Sequence, residues 1–339
     1  MAEGNTDISV SEPKKIGFFS LDINGVFLNN DSKKKTFIEP KRNSDGVLLK
    51  PLDLKKGTMT KKRDENKKPK LDNILQWIKL HGRDMQTDFV CKRSLLNKIM
   101  STPYDAKKKL RIDVTLYKGI YYLCNRPKEN KPEQTECREE EKWGYKFEQY
   151  LTEESTDPLL IPDMDYNSCE AFYNVMKVQV GSHILVYSCE VDAVSTDESG
   201  EHSVEFKTIK HSKLDAERIA TFKRYNLLTW WIQSFLGGVP KIICGFRDDI
   251  EKLDTGIVIK LKTKQTAKIP FESDIKWKTN ECFDSLNELL KHIISNVKED
   301  NPRQLLEYPN DKYTVRQRKY YTWRNTSSTY DFLPEWYTL

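Results

Sequence analysis

The chain has 339 residues, 37% hydrophobic and 32% charged, with a formal net charge of +5. No apolar run approaches the roughly 18 residues of a membrane span, and Met1-Ala2-Glu3-Gly4-Asn5 offers no apolar signal core. The seven cysteines are scattered without C-x-x-C spacing, and no histidines pair at zinc-binding spacing; this argues against a disulfide framework or a zinc ribbon and fits a reducing compartment.

Charge is uneven along the chain. Residues 1–70 hold 16 Lys/Arg against 10 Asp/Glu, so the basic surplus belongs to the N-terminal part. Residues 1–13 are expected to be disordered, and 14–339 to form a single domain. Ile16-Gly17-Phe18-Phe19-Ser20-Leu21-Asp22 reads as a short extended element. Residues 29–70 read as a loop-rich basic segment. Its clusters Lys61-Lys62-Arg63 and Lys67-Lys68-Pro69-Lys70 have the composition of a nuclear-import signal, of a phosphate-contacting arm, or of an ordinary exposed loop. The expected location is nuclear, with a cytoplasmic one as the alternative, and not secreted.

Leu71, Ile74, Leu75 and Ile78 recur at helical spacing, and Phe89–Met100 reads as a second short helix carrying Arg93. Ile112–Leu123 alternates about Lys118-Gly119, a hairpin pattern. A polar loop follows over 125–140. Trp143–Leu151 is read as a helix with Glu148 on it and Phe147 and Leu151 on its buried face. A loop over 152–167 closes it, and Ala171–Val178 leads into the next strand.

The segment Glu190–Lys207 reads as a β-hairpin, with a polar break over Ser195–Gly200. Glu190 and Asp192 share one strand face, as do Glu205 and Lys207, because side chains alternate along a strand. If the register joins those faces, three carboxylates and one ammonium meet. Such a cluster repels itself unless a divalent cation with oxygen ligands balances it. A cross-strand ion-paired edge is the competing reading.

A long helix is expected from Lys213 to Leu236, with Gln233 in its last turn and Gly237-Gly238 and Pro240 ending it. Lys241–Arg247 and Gly256–Leu261 read as strands, Glu281–Val297 as an amphipathic helix, and Tyr313-Thr314-Val315 as an edge strand. The aromatic Phe332–Tyr337 segment is expected to pack back on the body. The fold class is α/β (α+β), with a mixed central β-sheet flanked by helices.

Several motifs, in order along nearly the whole chain, resemble the DXO family of eukaryotic decapping exoribonucleases. They are Gly17–Asp22, Asp88-Phe89-Val90 with Arg93 and Thr102-Pro103-Tyr104, and Gly144–Glu148. Glu190-Val191-Asp192, Glu205-Phe206-Lys207 and the stretch from Trp230-Trp231 through Gln233 to Gly245-Phe246-Arg247 continue the series, and Phe332–Tyr337 completes it. The resemblance implies a fold related to the PD-(D/E)xK nucleases and hydrolysis at the 5′ end of RNA. The activities implied are removal of NAD caps, of incomplete or unmethylated caps and of 5′-triphosphate, with 5′–3′ exonucleolysis. It implies Mg2+ or Mn2+ held by Glu148, Glu190, Asp192, Glu205 and the Phe206 backbone carbonyl. Lys207 and Gln233 would position water and the scissile phosphate, and Arg93 would hold RNA phosphate. Lys92, Ser94 and Gly25 depart from the family pattern and bear on substrate choice. The alternative is a non-catalytic RNA-binding scaffold for an Xrn-type 5′–3′ exoribonuclease. No membrane partner is implied, and a monomer is expected.

Overall fold

The computed structural model describes residues 8–61, 71–82, 85–105, 110–125, 139–152, 163–198, 200–210, 216–250, 253–300, 306–309, 324–325 and 333–339. In chain order the elements are β1 (Lys14–Leu21), β2 (Phe27–Leu28), β3 (Val47–Asp53), β4 (Met59–Lys61) and α1 (Asp72–His81). Next come β5 (Phe89–Lys92), α2 (Arg93–Ser101), β6 (Arg111–Tyr117), β7 (Ile120–Asn125), α3 (Glu139–Thr152) and β8 (Tyr166–Asn167). The middle of the chain forms β9 (Ala171–Val180), β10 (His183–Val191), β11 (Ala193–Asp197), β12 (Gly200–Lys210), α4 (Ala216–Thr221) and α5 (Leu227–Leu236). The last elements are β13 (Lys241–Ile250), β14 (Leu253–Gln265), α6 (Thr279–Asn296), β15 (Leu306–Pro309), β16 (Arg324–Asn325) and α7 (Glu335–Thr338).

The expected central sheet is in fact two mixed sheets. One has nine strands in the order β16-β15-β6-β7-β5-β10-β9-β1-β2, and the other has five in the order β11-β12-β13-β14-β3. Both combine parallel and antiparallel pairs, with β5–β10 and β12–β13 parallel. A short parallel pair, β4–β8, stands apart. Helices α2, α5 and α6 bury Leu96, Trp231 and Leu286 in a core that also takes Leu185 and Tyr187 from β10 and Ile242 and Cys244 from β13. Helix α1 and Tyr337 of α7 cover the other face of the nine-stranded sheet. Helix α3 lies on the five-stranded sheet, where Phe147 and Leu151 meet Phe206 and Val258.

Several sequence expectations change. Phe89–Met100 is not one helix: Phe89, Val90 and Cys91 are fully buried in strand β5, and the helix begins at Arg93. An apolar run of three residues satisfies a central parallel strand as well as a helix turn, so periodicity alone does not separate them. The 29–70 loop contains β3 and β4. Residues 8–13 run along β9, where the Ser11 amide donates to the Gln179 carbonyl at 3.0 Å and Val10 bridges Val180. The helix expected from Lys213 is divided, with a wider π-type turn at Phe222–Asn226 between α4 and α5. The import-type clusters, apart from Lys61, and Tyr313–Val315 lie outside the described residues.

The hairpin is also rearranged. β10 ends at Val191 in the nine-stranded sheet. After Asp192 the chain enters the five-stranded sheet as β11, and the antiparallel hairpin is β11–β12, from Ala193↔Val204 to Asp197↔Gly200. Asp192 is therefore a joint between sheets.

Glycine fixes how α3 seats. A Cβ at Gly245 in β13 would come within 2.7 Å of the Phe147 ring. Gly245→Ala is expected to cost about 1–3 kcal/mol by overpacking. Urea unfolding checks this, and an unchanged midpoint would show that α3 yields freely.

Candidate active site

The site grows from strand alternation. Glu205 and Lys207 lie two apart on β12 and face α5, while Phe206 between them turns inward. Its ring centroid lies 6.1 Å from that of Phe147 and 5.6 Å from that of Phe37. Glu205 is 2% exposed, so its carboxylate must be satisfied from within the protein. Its Oε1 accepts from Lys207 Nζ at 2.6 Å and from Gln233 Nε2 at 2.5 Å. Its Oε2 lies 3.6 Å from the Arg93 guanidinium. Lys207 Nζ also donates to Gln233 Oε1 at 3.2 Å. Four residues singled out from the sequence, spread from 93 to 233, thus form one polar network around the buried Glu205.

Asp192 closes the opposite side. β11 leaves β12 beyond Ala193↔Val204, so the Phe206 amide has no strand partner there. Asp192 Oδ2 accepts from it at 2.8 Å. Glu190 Oε2 accepts from the Tyr173 hydroxyl at 3.0 Å, across the β9–β10 pair. Glu148 sits half-buried in the last turn of α3, where its carbonyl accepts from Thr152 Oγ1 at 2.7 Å.

The acids of the site act on one another's charge. Burial pushes the Glu148 carboxyl up to about 7; Lys35 and Lys207 oppose the shift, and Glu190 and Glu205 add to it. Burial also drives Asp192 well above the ordinary carboxylate range, reinforced by Glu205 and Glu148. Burial works against the Lys207 charge, but Glu205 and Asp192 outweigh it and hold the ammonium above its ordinary pKa. Lys207 is therefore a proton-bearing donor at neutral pH, not a base.

The cluster is self-paired as it stands. Among the described residues, no three His, Cys, Asp or Glu side chains are gathered in positions to hold a metal ion. Glu205 is turned to Lys207, Gln233 and Arg93, and Asp192 to a backbone amide. The donor chemistry nevertheless fits a hard divalent cation: oxygen ligands from four acids, two of them, Glu148 and Asp192, driven toward the neutral form by burial and by the acids around them. The Arg93 side chain is only 11% exposed and faces Glu205 and, at 3.5 Å, the Gln233 carbonyl.

The family model described as RAI1-like PD-(D/E)XK nuclease matches residues 11–338. The chain belongs to the RAI1-like PD-(D/E)XK nuclease family. It is a hydrolase of nuclease type, as the sequence reading held. A decapping and exoribonuclease protein from Xenopus laevis is 30% identical over 96% of this chain and 85% of its own length. The structure of Schizosaccharomyces pombe Rai1 in complex with 3′-FADP has a TM-score of 0.70 at 27% identity, covering 91% of this chain and 93% of that one. Candida albicans Rai1 in complex with pU5 and Mn2+ shares the fold, with a TM-score of 0.74 at 20% identity over 94% and 90% of the two chains.

Each residue that departs from the family pattern has a defined setting. Gly25 has φ +75° in the turn that Asp22 organises, a backbone that L side chains rarely adopt. Lys92 is the half-buried last residue of β5, and Ser94 is exposed in the first turn of α2. Tyr173 was missed by sequence reasoning, because nothing in a β9 tyrosine announces the carboxylate opposite. Lys35 was missed because it lies more than 100 residues from any acid of the site.

Proposed function

We propose that this protein is a divalent-cation-dependent hydrolase of RNA 5′ ends. Its substrates are NAD caps, incomplete or unmethylated caps and 5′-triphosphates, with 5′–3′ exonucleolysis as a further activity. One observation carries the reading: a buried carboxylate, Glu205, joined to both Lys207 and Gln233 within the family's Glu-x-Lys motif. A non-catalytic scaffold has no use for an acid cluster whose members repel one another.

Mg2+ is the proposed ion, with Mn2+ as the alternative. Glu148, Glu190, Asp192 and Glu205 would hold it. The Phe206 carbonyl would join them, since a strand residue's C=O points to the same side as its N–H, here the Asp192 side. When bound, such an ion polarises a phosphoryl oxygen and lowers the pKa of water. The protein's own part is positional. Lys207 donates from a fixed ammonium to the charge that develops on phosphate. Gln233, anchored on Glu205, offers its amide to the attacking water. Arg93 balances Glu205 and presents what remains of its guanidinium to RNA phosphate. The RNA 5′ end is the partner this requires.

The test uses RNAs bearing 5′ NAD, an unmethylated cap, triphosphate, monophosphate or hydroxyl, with product identification with and without chelator. The expected result is release of the 5′-terminal group from the capped and triphosphorylated RNAs, lost completely on chelation. Turnover that survives chelation, or no product from any of the five RNAs, overturns the reading.

A further inference from the structure

The segment Lys35–Ile38 is stitched to both elements that flank the acids. The Lys35 carbonyl accepts from the Val194 amide at 2.8 Å, and the Phe37 amide donates back to the Val194 carbonyl at 2.7 Å. The Ile38 amide donates to the Leu151 carbonyl at 2.7 Å, near the end of α3. Val194 is two residues from Asp192, and Leu151 is three from Glu148. Thr36 forms a parallel bridge with Val194, so the segment is extended, and Lys35 and Phe37 share a face. Phe37 packs on Phe206, the residue between Glu205 and Lys207.

Three lysines stand in a row here, and two are occupied. Lys33 is ion-paired with Glu170, and Lys34 lies 3.1 Å from Glu201 and 3.4 Å from Asp31. Among the described residues, Lys35 has no carboxylate within ion-pair distance. It is half-buried, and its charge reaches Glu148.

We propose that Lys35 is a substrate-binding residue of this site, its ammonium taking a phosphate of the RNA chain beside the scissile bond. The inference rests on the reading of the site as an RNA 5′-end hydrolase. The placement supports it: a lysine held by backbone bonds at the rim of an acidic cluster, with its neighbours neutralised and itself left for an anion. A backbone phosphate of single-stranded RNA is that anion, since lysine meets phosphate as a point charge and needs no fork geometry.

The competing role is that of a counter-charge to Glu148, and the two roles separate in kinetics. Steady-state hydrolysis of 5′-NAD RNA is measured for wild type, Lys35→Met and Lys35→Arg over a range of salt and of Mg2+ concentration. The expected result for Lys35→Met is a rise of about tenfold in KM with kcat within twofold, and Lys35→Arg restores most of the loss. The slope of log KM against log salt becomes shallower by about 0.7, the contribution of one phosphate contact to a single strand. A shift in the Mg2+ requirement with RNA KM and salt slope unchanged overturns the proposal in favour of the counter-charge role. KM, kcat and Mg2+ requirement all equal to wild type overturn it outright. Absence of hydrolysis by wild type itself would instead strike the underlying reading of the site. Circular dichroism of each variant confirms that the fold is kept.

Discussion

Replacing Glu205 with glutamine is expected to lower RNA 5′-end hydrolysis by a factor of about 10² to 10³ while the protein stays folded. The amide keeps the shape of the carboxylate, and its oxygen can still accept from Lys207 and Gln233. What disappears is the negative charge at the floor of the site, where the residue is 2% exposed. That charge has three uses. It holds Lys207 protonated, balances Arg93, and would supply a hard oxygen ligand to a cation. The folded state has compensations, since the change also removes repulsion against Asp192 and Glu148. The thermal midpoint is therefore expected to shift far less than the rate. Single-turnover hydrolysis of 5′-NAD RNA, alongside a melting curve, checks both. Activity within twofold of wild type would remove Glu205 from the mechanism, and collapse of the fold would make it a structural acid.

Tyr337→Ala is expected to cost about 3–5 kcal/mol of stability, the range for truncating a buried aromatic side chain. Tyr337 is 0% exposed, in the cluster with Tyr122, Leu75 and Ile78. Its hydroxyl lies 2.7 Å from that of Tyr122, and the Tyr117 hydroxyl donates to the neighbouring Thr338 carbonyl at 2.8 Å. Tyr337→Phe keeps the ring and removes only the hydroxyl contact, at about 1 kcal/mol. Urea unfolding of the pair separates packing from hydrogen bonding. A loss below 1 kcal/mol in the alanine variant would mean that the C-terminal helix merely rests on the body. The same core packs against Tyr173, the partner of Glu190, so large losses there reach the site through β9.

The chemistry of the site was legible in the sequence because strand alternation is a local property. Glu205 and Lys207 must share a face, and the strand before them carries acids. The same holds for Phe147 and Leu151 on α3, and for the aromatic C-terminal segment that had to be buried. Motif order then gave the family. Which sheet each strand joins was not legible. The Glu190–Lys207 stretch has a hairpin's composition, yet β10 and β11 belong to different sheets, and the break at Asp192 leaves no mark in hydropathy.

By itself, then, the sequence determined the residue types of the site, the faces they occupy on their own elements, and the family to which the chain belongs. The tertiary structure decided which faces meet. It set the Arg93 guanidinium 3.6 Å from the Glu205 carboxylate, delivered Gln233 to the same carboxylate, put the Tyr173 hydroxyl on Glu190 of the neighbouring strand, and brought the Lys35 segment to the elements that carry Asp192 and Glu148. The physical reason is that periodicity reports a side chain's direction relative to its own backbone. Convergence depends on long-range pairing, on which strand leaves its neighbour first and which orphaned amide a carboxylate then captures.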